Sequence, residues 1–438
     1  MFQRKDGIVD FDKDWCIGCK ACIAACPYDA IFINPEDHTA EKCNMCAHRL
    51  EVGLEPACVV VCPTQAILVG DMNDPASKVA GIINREVVAV RRPEKDTRPK
   101  LFYKGAHAAT LDPLAARRPS GGIFMWSEQL GRIEGKITSG VPSTSSGTGS
   151  GAGVGAGSRT TSSAAAVLSY DIPHNRPWDW RVSAYTWTKS IACGSYVVAA
   201  IAMILRRIDD DGALWRVGVP VLSGVFLALT GILLIADLKQ PMRFHYLFLR
   251  PQWKSWLVRG AVLITAFAAI LAVHFVFGVM GNGHAGLWLT HAGVPIGLGT
   301  AVYTAYLFAQ AKARDLWQNP MLPPHFVVQS LLAGAAVWAV VAPSEDVAWG
   351  SFVALFTGIH LLMVAGELTM THGTAHARMA AHEITHGEFR GFFLAAMVLS
   401  AIGLATPWTG VFGAVPALFG LLAWEHAHVQ AGQSVPLA

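Results

Sequence analysis

The stretch WCIGCKACIAACPYDAI (residues 15–31) holds four of the nine cysteines of this 438-residue chain. A second stretch, KCNMCAHRLEVGLEPACVVVCPTQAI (42–67), holds four more, and Cys193 is the only cysteine outside these two stretches. Thiols in C-x-x-C spacing converge on one point of a fold, whereas disulfides join cysteines across it. The crowding therefore favours a metal centre over a set of disulfides.

The spacing within each set is typical of bacterial iron–sulfur domains. The first set reads C-x2-C-x2-C-x3-C-P, in which three thiolates bind one [4Fe–4S] cluster and the fourth reaches another. The second set repeats the pattern with an eleven-residue spacer before its third cysteine, and CPYDAI recurs as CPTQAI. Structural zinc also uses C-x2-C pairs, but it leaves the third cysteine and the two C-P dipeptides unexplained. We predict two [4Fe–4S] clusters in a pseudo-twofold ferredoxin fold, bound by Cys16, Cys19, Cys22, Cys26, Cys43, Cys46, Cys58 and Cys62.

The remainder of the chain is apolar enough to span a membrane. Hydrophobic residues make up 53% of the sequence and charged residues 15%, against roughly 25% charged in soluble domains. Most of the apolar runs approach the roughly 20 residues that a helix needs to cross about 30 Å of hydrocarbon. ITAFAAILAVHFVFGV (264–279), for example, has no polar stripe at helical spacing. We predict about eight transmembrane helices, at 185–205, 217–236, 256–278, 287–310, 325–342, 347–370, 389–406 and 409–427.

Composition divides the chain into four parts. Residues 1–100 form the predicted α+β, ferredoxin-like dicluster domain, and residues 101–139 form a basic, proline-containing tail. Residues 140–168 are rich in Gly, Ser and Thr, which cannot form a core, and predict a flexible linker. Residues 169–438 form the predicted all-α, polytopic membrane domain.

Loop charge predicts the orientation of the membrane domain. The loops on the side of the N-terminus carry eleven basic residues: Arg176, Arg181, Lys239, Arg243, Arg250, Lys254, Arg259, Lys312, Arg314, Arg378 and Arg390. On the opposite side, three arginines are offset by Asp209, Asp210 and Asp211. The positive-inside rule then places the cysteine domain in the cytoplasm, at the inner (cell) membrane. A basic rim that docks an acidic partner is the alternative, and the small net charge of +3 gives no indication of nucleic-acid binding.

Both parts resemble known redox families. The cysteine region from residue 5 to about 75 resembles the electron-transfer subunit of molybdopterin oxidoreductases of the dimethyl sulfoxide, polysulfide and nitrate reductase type. LLIADLKQPMRFHYLFLRPQWKSWLVRGA (233–261), with WDWRVSAYTWTKSIACG (178–194), resembles the NrfD/polysulfide reductase membrane subunit. That resemblance implies about eight helices, a bound quinone, no haem and a separate catalytic molybdopterin subunit. The chain thus resembles a fusion of two subunits that relays electrons between the catalytic partner and the membrane quinone pool.

The resemblance also implies that two cysteine motifs are missing. The family's iron–sulfur subunit has four motifs, of which this chain matches the third and the fourth. In the family, the first motif shares clusters with the fourth and the second with the third. We therefore expect Met1 to be an internal methionine of a longer protein with up to four clusters. If the start is genuine, the first three cysteines of each set pair with the last cysteine of the other set.

Polar residues within the apolar runs are candidates for binding quinone. An ionisable side chain in a span costs on the order of 2.5–3.5 kcal/mol on insertion scales, so each one invites a reason. Tyr185, Lys189, Asp237 and His360 could hydrogen-bond the quinone carbonyls, and Glu367 could carry protons. Structural alternatives remain: Lys189 could extend to the interface, Asp237 could pair with Arg243 or Arg259, and His360 could bond to Glu367. Haem b is disfavoured because no two predicted spans carry histidines at clearly matching depth.

Two other functions remain open. The catalytic partner could be a nickel–iron hydrogenase or another redox module, with the same relay in this chain. Alternatively, the protein could be a membrane redox sensor or scaffold that exchanges no electrons with quinone.

Overall fold

The computed structural model describes residues 1–112, 176–343 and 348–435, except for the side chains of residues 109 and 283–287. The chain divides into two compact units, one of Met1–Asn175 with Val435–Ala438 and one of Arg176–Ser434.

The described part of the first unit consists of short strands and short helices. Its antiparallel hairpins pair β1 (Phe2–Gln3) with β2 (Val9–Asp10), β3 (Phe32–Ile33) with β4 (Ala40–Glu41), and β5 (Val88–Ala89) with β6 (Tyr103–Lys104). Its helices span Ala21–Ala25, Ala47–Leu50, Ala57–Val60, Lys78–Arg85 and Ala108–Leu111. Its buried apolar side chains are few and mostly alanine: Ile8, Ala24, Ala40, Ala47 and Ala80. So small a core is typical of domains that a bound metal centre stabilises.

Long helices build the second unit. They are α1 (Trp180–Ile204), α2 (Val219–Asp237), α3 (Trp256–Val279), α4 (Gly283–Gln310), α5 (Leu322–Val341), α6 (Trp349–Thr369), α7 (Arg390–Gly403) and α8 (Val411–Ser434). One turn of π-helix, Leu214–Gly218, leads into α2, and a short helix, Ala375–Thr385, lies between α6 and α7. Each predicted apolar run therefore corresponds to a helix.

The predicted count of eight spans is not confirmed. Among the described residues, six helices, α1 to α6, are long and apolar enough to cross a membrane. The seventh, α7, has 14 residues, fewer than the roughly 17 that a span needs. The last, α8, is 24 residues long, but its second half carries the polar sequence WEHAHVQAGQ (424–433). The length of α7 and the polarity of α8 thus separate these two helices from the other six.

Contacts between helix termini show which ends lie together. The Trp178 amide, just before α1, donates to Gln433 Oε1 near the end of α8 (3.1 Å). Arg181 donates to the carbonyl of Ala236 at the end of α2 (2.8 Å). The start of α1 and the ends of α2 and α8 therefore share one end of the bundle, here called the proximal end.

The first span is the central helix of the bundle. Inside the protein, 83% of the apolar stretch of α1 is buried, against 22% for α3. Small residues allow this: Gly194 of α1 crosses α5 so closely that an added Cβ would lie 1.7 Å from the Ser330 carbonyl oxygen. Gly334 of α5 meets the Gly194 backbone in the same way. Close backbone approach through small residues is a common mode of helix packing in membranes.

Replacing Gly194 with alanine should destabilise the membrane unit, because the new Cβ forces α1 and α5 apart. Overpacking of this kind lowers the free energy of unfolding by about 1–3 kcal/mol. We therefore expect a clear fall in the melting temperature of the detergent-solubilised protein. Gly231→Ala is the matched control, since a Cβ at Gly231 meets nothing within 4 Å. Equal melting temperatures for the two variants would contradict this crossing.

Candidate functional site

The first cysteine set lies in a loop that turns through left-handed backbone. Gly18 and Lys20 have φ values of +67° and +60°, and the helix Ala21–Ala25 begins directly after them. Glycine adopts this conformation without penalty, whereas lysine does so at a cost of order 1–3 kcal/mol. The amide of Ala40, on β4, donates to Cys16 Sγ at 3.3 Å. The loop and the second hairpin thus both contribute to the surroundings of this sulfur.

The second set has the same local features. Met45 and Cys46 have φ values of +57° and +52°, and a short helix follows. The Ala66 amide donates to Cys62 Sγ at 3.1 Å. Amide donors around this sulfur, Ile67 foremost, lower the pKa of the Cys62 thiol. Stabilising the thiolate suits a metal ligand, because the thiolate is the form that binds metal.

The thiols of the first set fit a cationic centre. Burial, followed by the neighbouring Cys19 and Cys16 thiols, raises the pKa of Cys22 to about 12. Three thiolates therefore cannot coexist there without a compensating positive charge, which iron supplies in an iron–sulfur cluster. All eight cysteines are free thiols. No three Cys, His, Asp or Glu side chains among the described residues are grouped around the position of a single metal ion, so the ligand set of the clusters stays a prediction.

Lys189 lies at the centre of a buried polar cluster in the membrane unit. Its side chain is fully buried, which contradicts the alternative that it extends to the interface. Its Nζ donates to the Ala301 carbonyl (2.7 Å) and to Thr304 Oγ1 (2.6 Å), both on α4. The ammonium group also lies 5.1 Å and 4.6 Å from the ring centroids of Tyr303 and Phe326. Such cation–π contacts stabilise a desolvated cation.

Glu425 of α8 is the carboxylate of this cluster. Thr186 Oγ1 donates to it at 2.9 Å and Ser190 Oγ at 3.4 Å, both from α1. Glu425 and Lys189 attract each other electrostatically, so the lysine is paired within the bundle. The buried hydroxyl of Tyr185 approaches Thr304 without a hydrogen bond of normal geometry. Together, α1, α4 and α8 hold a buried cation, a carboxylate and hydroxyl groups.

A second buried cluster joins α5, α6 and α8. His360 Nδ1 and His325 Nε2 are 2.9 Å apart and share a hydrogen bond. The other nitrogen of His325 is 3.7 Å from Glu367 Oε2, and His428 Nδ1 is 3.6 Å from Glu367 Oε1. We call these four residues the histidine–glutamate chain. The alternative of a direct bond between His360 and Glu367 is wrong, because His325 lies between them.

The fifth candidate, Asp237, ends α2 and is 7% exposed. It is near enough to Tyr185 for an electrostatic interaction. Of the arginines that could pair with it, Arg259 donates instead to the Trp253 carbonyl (2.7 Å) and stacks on Trp256 (4.7 Å). Tyr185, Lys189 and Asp237 therefore belong to one region, and His360 and Glu367 to the histidine–glutamate chain.

Sequence reasoning missed Thr304, Glu425, His325 and His428, which complete the two clusters. The polar breaks around the last two predicted runs are short, and Glu425 and His428 lie at the end of the last run, where polar residues are expected at a membrane boundary. The expectation that no histidines match in depth is wrong for His325 and His360. Their nitrogens, at 2.9 Å, are nevertheless closer than the roughly 4 Å that two metal–nitrogen bonds of about 2 Å would span.

These features define a multi-pass membrane protein with a cysteine-rich iron–sulfur domain in the same chain. Residues 1–72 match the family described as a 4Fe-4S dicluster domain, and residues 170–424 match the family described as polysulphide reductase, NrfD. The second match covers more than half of the sequence, and the chain therefore belongs to the polysulphide reductase NrfD family.

Curated relatives match in the N-terminal region. The chain is 46% identical over 129 residues to a subunit of the tetrathionate reductase of Salmonella typhimurium, which is 29% of this chain and 50% of the relative. It is 45% identical over 102 residues to a component of the polysulfide reductase of Wolinella succinogenes, 23% of this chain and 53% of the relative. It is 48% identical over 104 residues to the protein NrfC homolog of Haemophilus influenzae, which is 24% of this chain and 46% of the relative. The chain thus spans about half the length of the curated relatives it matches.

Proposed function

We propose that this protein relays electrons between membrane quinone and a separate catalytic subunit. The observation that carries the proposal is the buried Lys189 cluster of the membrane unit. The same chain also contains a region that matches a 4Fe-4S dicluster domain. A quinone needs hydrogen-bonding groups at its carbonyls and an apolar slot for its ring. The cluster supplies a cation, hydroxyl groups and the aromatic side chains of Tyr303 and Phe326.

The depth of the cluster supports a lipid-soluble ligand. Lys189 lies nine residues after the start of α1 at Trp180, or about 14 Å along a helix that rises 1.5 Å per residue. Glu425 lies nine residues before the end of α8 at Ser434. Both residues therefore lie near the middle of a bilayer about 30 Å thick. Burying a lysine and a glutamate at that depth costs free energy, so their presence there indicates a functional role.

The cysteine domain holds the one-electron carriers in this proposal. The eight cysteines of the two sets bind two [4Fe–4S] clusters, or share up to four if further motifs precede Met1. A [4Fe–4S] cluster supplies one-electron transfer at a potential set by its thiolates, amide donors and burial. The amides that donate to Cys16 and Cys62 are donors of this kind.

The catalytic partner in this proposal is a molybdopterin subunit. Its support comes from the relatives, which are components of tetrathionate and polysulfide reductases. We further infer eight crossings of the inner membrane. A short helix, Thr406–Thr409, follows α7 and brings this segment to 20 residues, and α8 contributes Glu425 and His428 to buried clusters within the bundle. The basic residues of the proximal loops support a cytoplasmic cysteine domain.

Anaerobic reduction of the purified protein by a quinol tests the relay. The full chain is mixed with a short-chain naphthoquinol or benzoquinol, and the clusters are followed by visible absorption and electron paramagnetic resonance. We expect quinol to reduce at least one cluster that dithionite also reduces. A protein whose clusters respond to dithionite and to neither quinol would be a sensor or scaffold, and the proposal would fail.

A further inference from the structure

The histidine–glutamate chain lies beside the Lys189 cluster, because neighbouring residues of α5 and α8 contribute to both groups. Phe326 is next to His325 in sequence, and the centroid of its ring lies 4.6 Å from the Lys189 ammonium nitrogen. Trp424, next to Glu425, lies 6.1 Å from the His325 ring and 6.2 Å from the His360 ring. The same two helices, α5 and α8, therefore contribute to both groups.

The chain extends from the depth of Lys189 to the proximal end of the bundle. His360 lies nine residues before the end of α6 at Thr369, and Glu367 lies two residues before it. Their spacing of seven residues corresponds to about 10 Å along the helix. Asn319, in the loop before α5, also hydrogen-bonds Glu367. The carboxylate is thus the member of the chain that lies closest to the helix end.

The chain has open hydrogen-bonding positions on its two deeper members. His360 Nε2 and His428 Nε2 are buried and find no hydrogen-bond partner among the described residues. Buried polar atoms without partners are rare, and they call for a water molecule, a ligand or a functional role. A neutral imidazole donates through one nitrogen and accepts through the other, so it can take a proton on one side and release one on the other.

We propose that the histidine–glutamate chain carries protons between the quinone site and the proximal end. Oxidation of one quinol releases two electrons and two protons. The electrons leave toward the cysteine domain, and the protons leave one at a time through His360 and His325 to Glu367. Glu367 releases each proton to water at the proximal end, and the imidazoles return to their starting tautomers. Reduction of quinone uses the same path in reverse. The inference rests on the proposed quinone site.

Glutamine substitutions test this role, because glutamine keeps hydrogen bonds but cannot exchange a proton. Glu367→Gln and His325→Gln should each lower the rate of quinol-dependent cluster reduction by about 100-fold, the lower end of the range for general acid–base catalysis. The solvent deuterium isotope effect on this rate should rise. The dissociation constant of a short-chain quinone analogue should stay within about two-fold of the wild-type value, since neither residue is in the Lys189 cluster. Formate, a small weak acid, should partly restore Glu367→Gln.

His274→Gln is the matched control. His274 is buried against Tyr196 and Trp215, outside both clusters, and its replacement should leave the rate and the isotope effect unchanged. Cluster reduction in both test variants at the wild-type rate would overturn the proton path while leaving the quinone site intact. A weakened dissociation constant with no rescue by formate would also overturn it, because the chain would then serve packing. Wild-type clusters that no quinol reduces would overturn the proposed function on which the path depends.

Discussion

Replacing Cys22 with serine is expected to remove a complete cluster from the protein. Cys22 is half-buried beside Cys19 and Cys16, and a hydroxyl at this position is a poor substitute for a thiolate ligand of iron. The bound iron should fall by about four atoms per chain. Quinol-dependent electron transfer should fall to background. Iron analysis and visible absorption of the anaerobically purified protein measure the first effect, and electron paramagnetic resonance identifies the lost cluster.

Cys193→Ala provides the control for Cys22→Ser. Cys193 is a free thiol, fully buried in α1, and no cluster is assigned to it. Its replacement should leave the iron content and the cluster spectra as in the wild type. Unchanged iron in Cys22→Ser would contradict the predicted ligand set. Lost iron in Cys193→Ala would contradict the restriction of the clusters to the N-terminal domain.

Replacing Lys189 with methionine is expected to disable the quinone site and to leave the clusters in place. Methionine has a similar length and no charge, so the change removes the ammonium donor without leaving a large cavity. Hydrogen bonds to charged groups contribute about 1.5–3 kcal/mol, which corresponds to roughly a ten- to 100-fold loss in the rate of quinol-dependent reduction. Reduction by dithionite should match the wild type, because it needs no quinone site.

Two further variants separate function from folding at this position. Thr304→Val removes the hydroxyl that accepts from Lys189 and keeps the shape of the side chain, so a smaller loss of the same kind is expected. Lys254→Met makes the same chemical change at an exposed loop position and should leave the rate as in the wild type. If quinol reduces the clusters of a folded Lys189→Met variant at the wild-type rate, the quinone site lies elsewhere.

The cysteine pattern shows how much a local sequence signal predicts. Cluster ligands lie a few residues apart, so the spacing of Cys16 to Cys26 indicated an iron–sulfur domain without tertiary information, and the family match agrees. The apolar runs were equally informative because a bilayer requires length and hydrophobicity within one segment. The prediction was weakest where one helix is short, as in α7, and where one end of a helix is polar, as in α8.

The polar clusters of the membrane unit depended on contacts that no local pattern contains. Lys189 and Thr304 are 115 residues apart in the chain, and Thr186 and Glu425 are 239 apart. Sequence reasoning selected Lys189, His360 and Glu367 because ionisable groups in apolar helices are conspicuous. It could not show that His325 lies between His360 and Glu367, since helix packing sets that neighbour. The sequence by itself determined the class of protein and its redox centre. The tertiary structure alone decided which buried groups share a site, because their partners come from helices far apart in the chain.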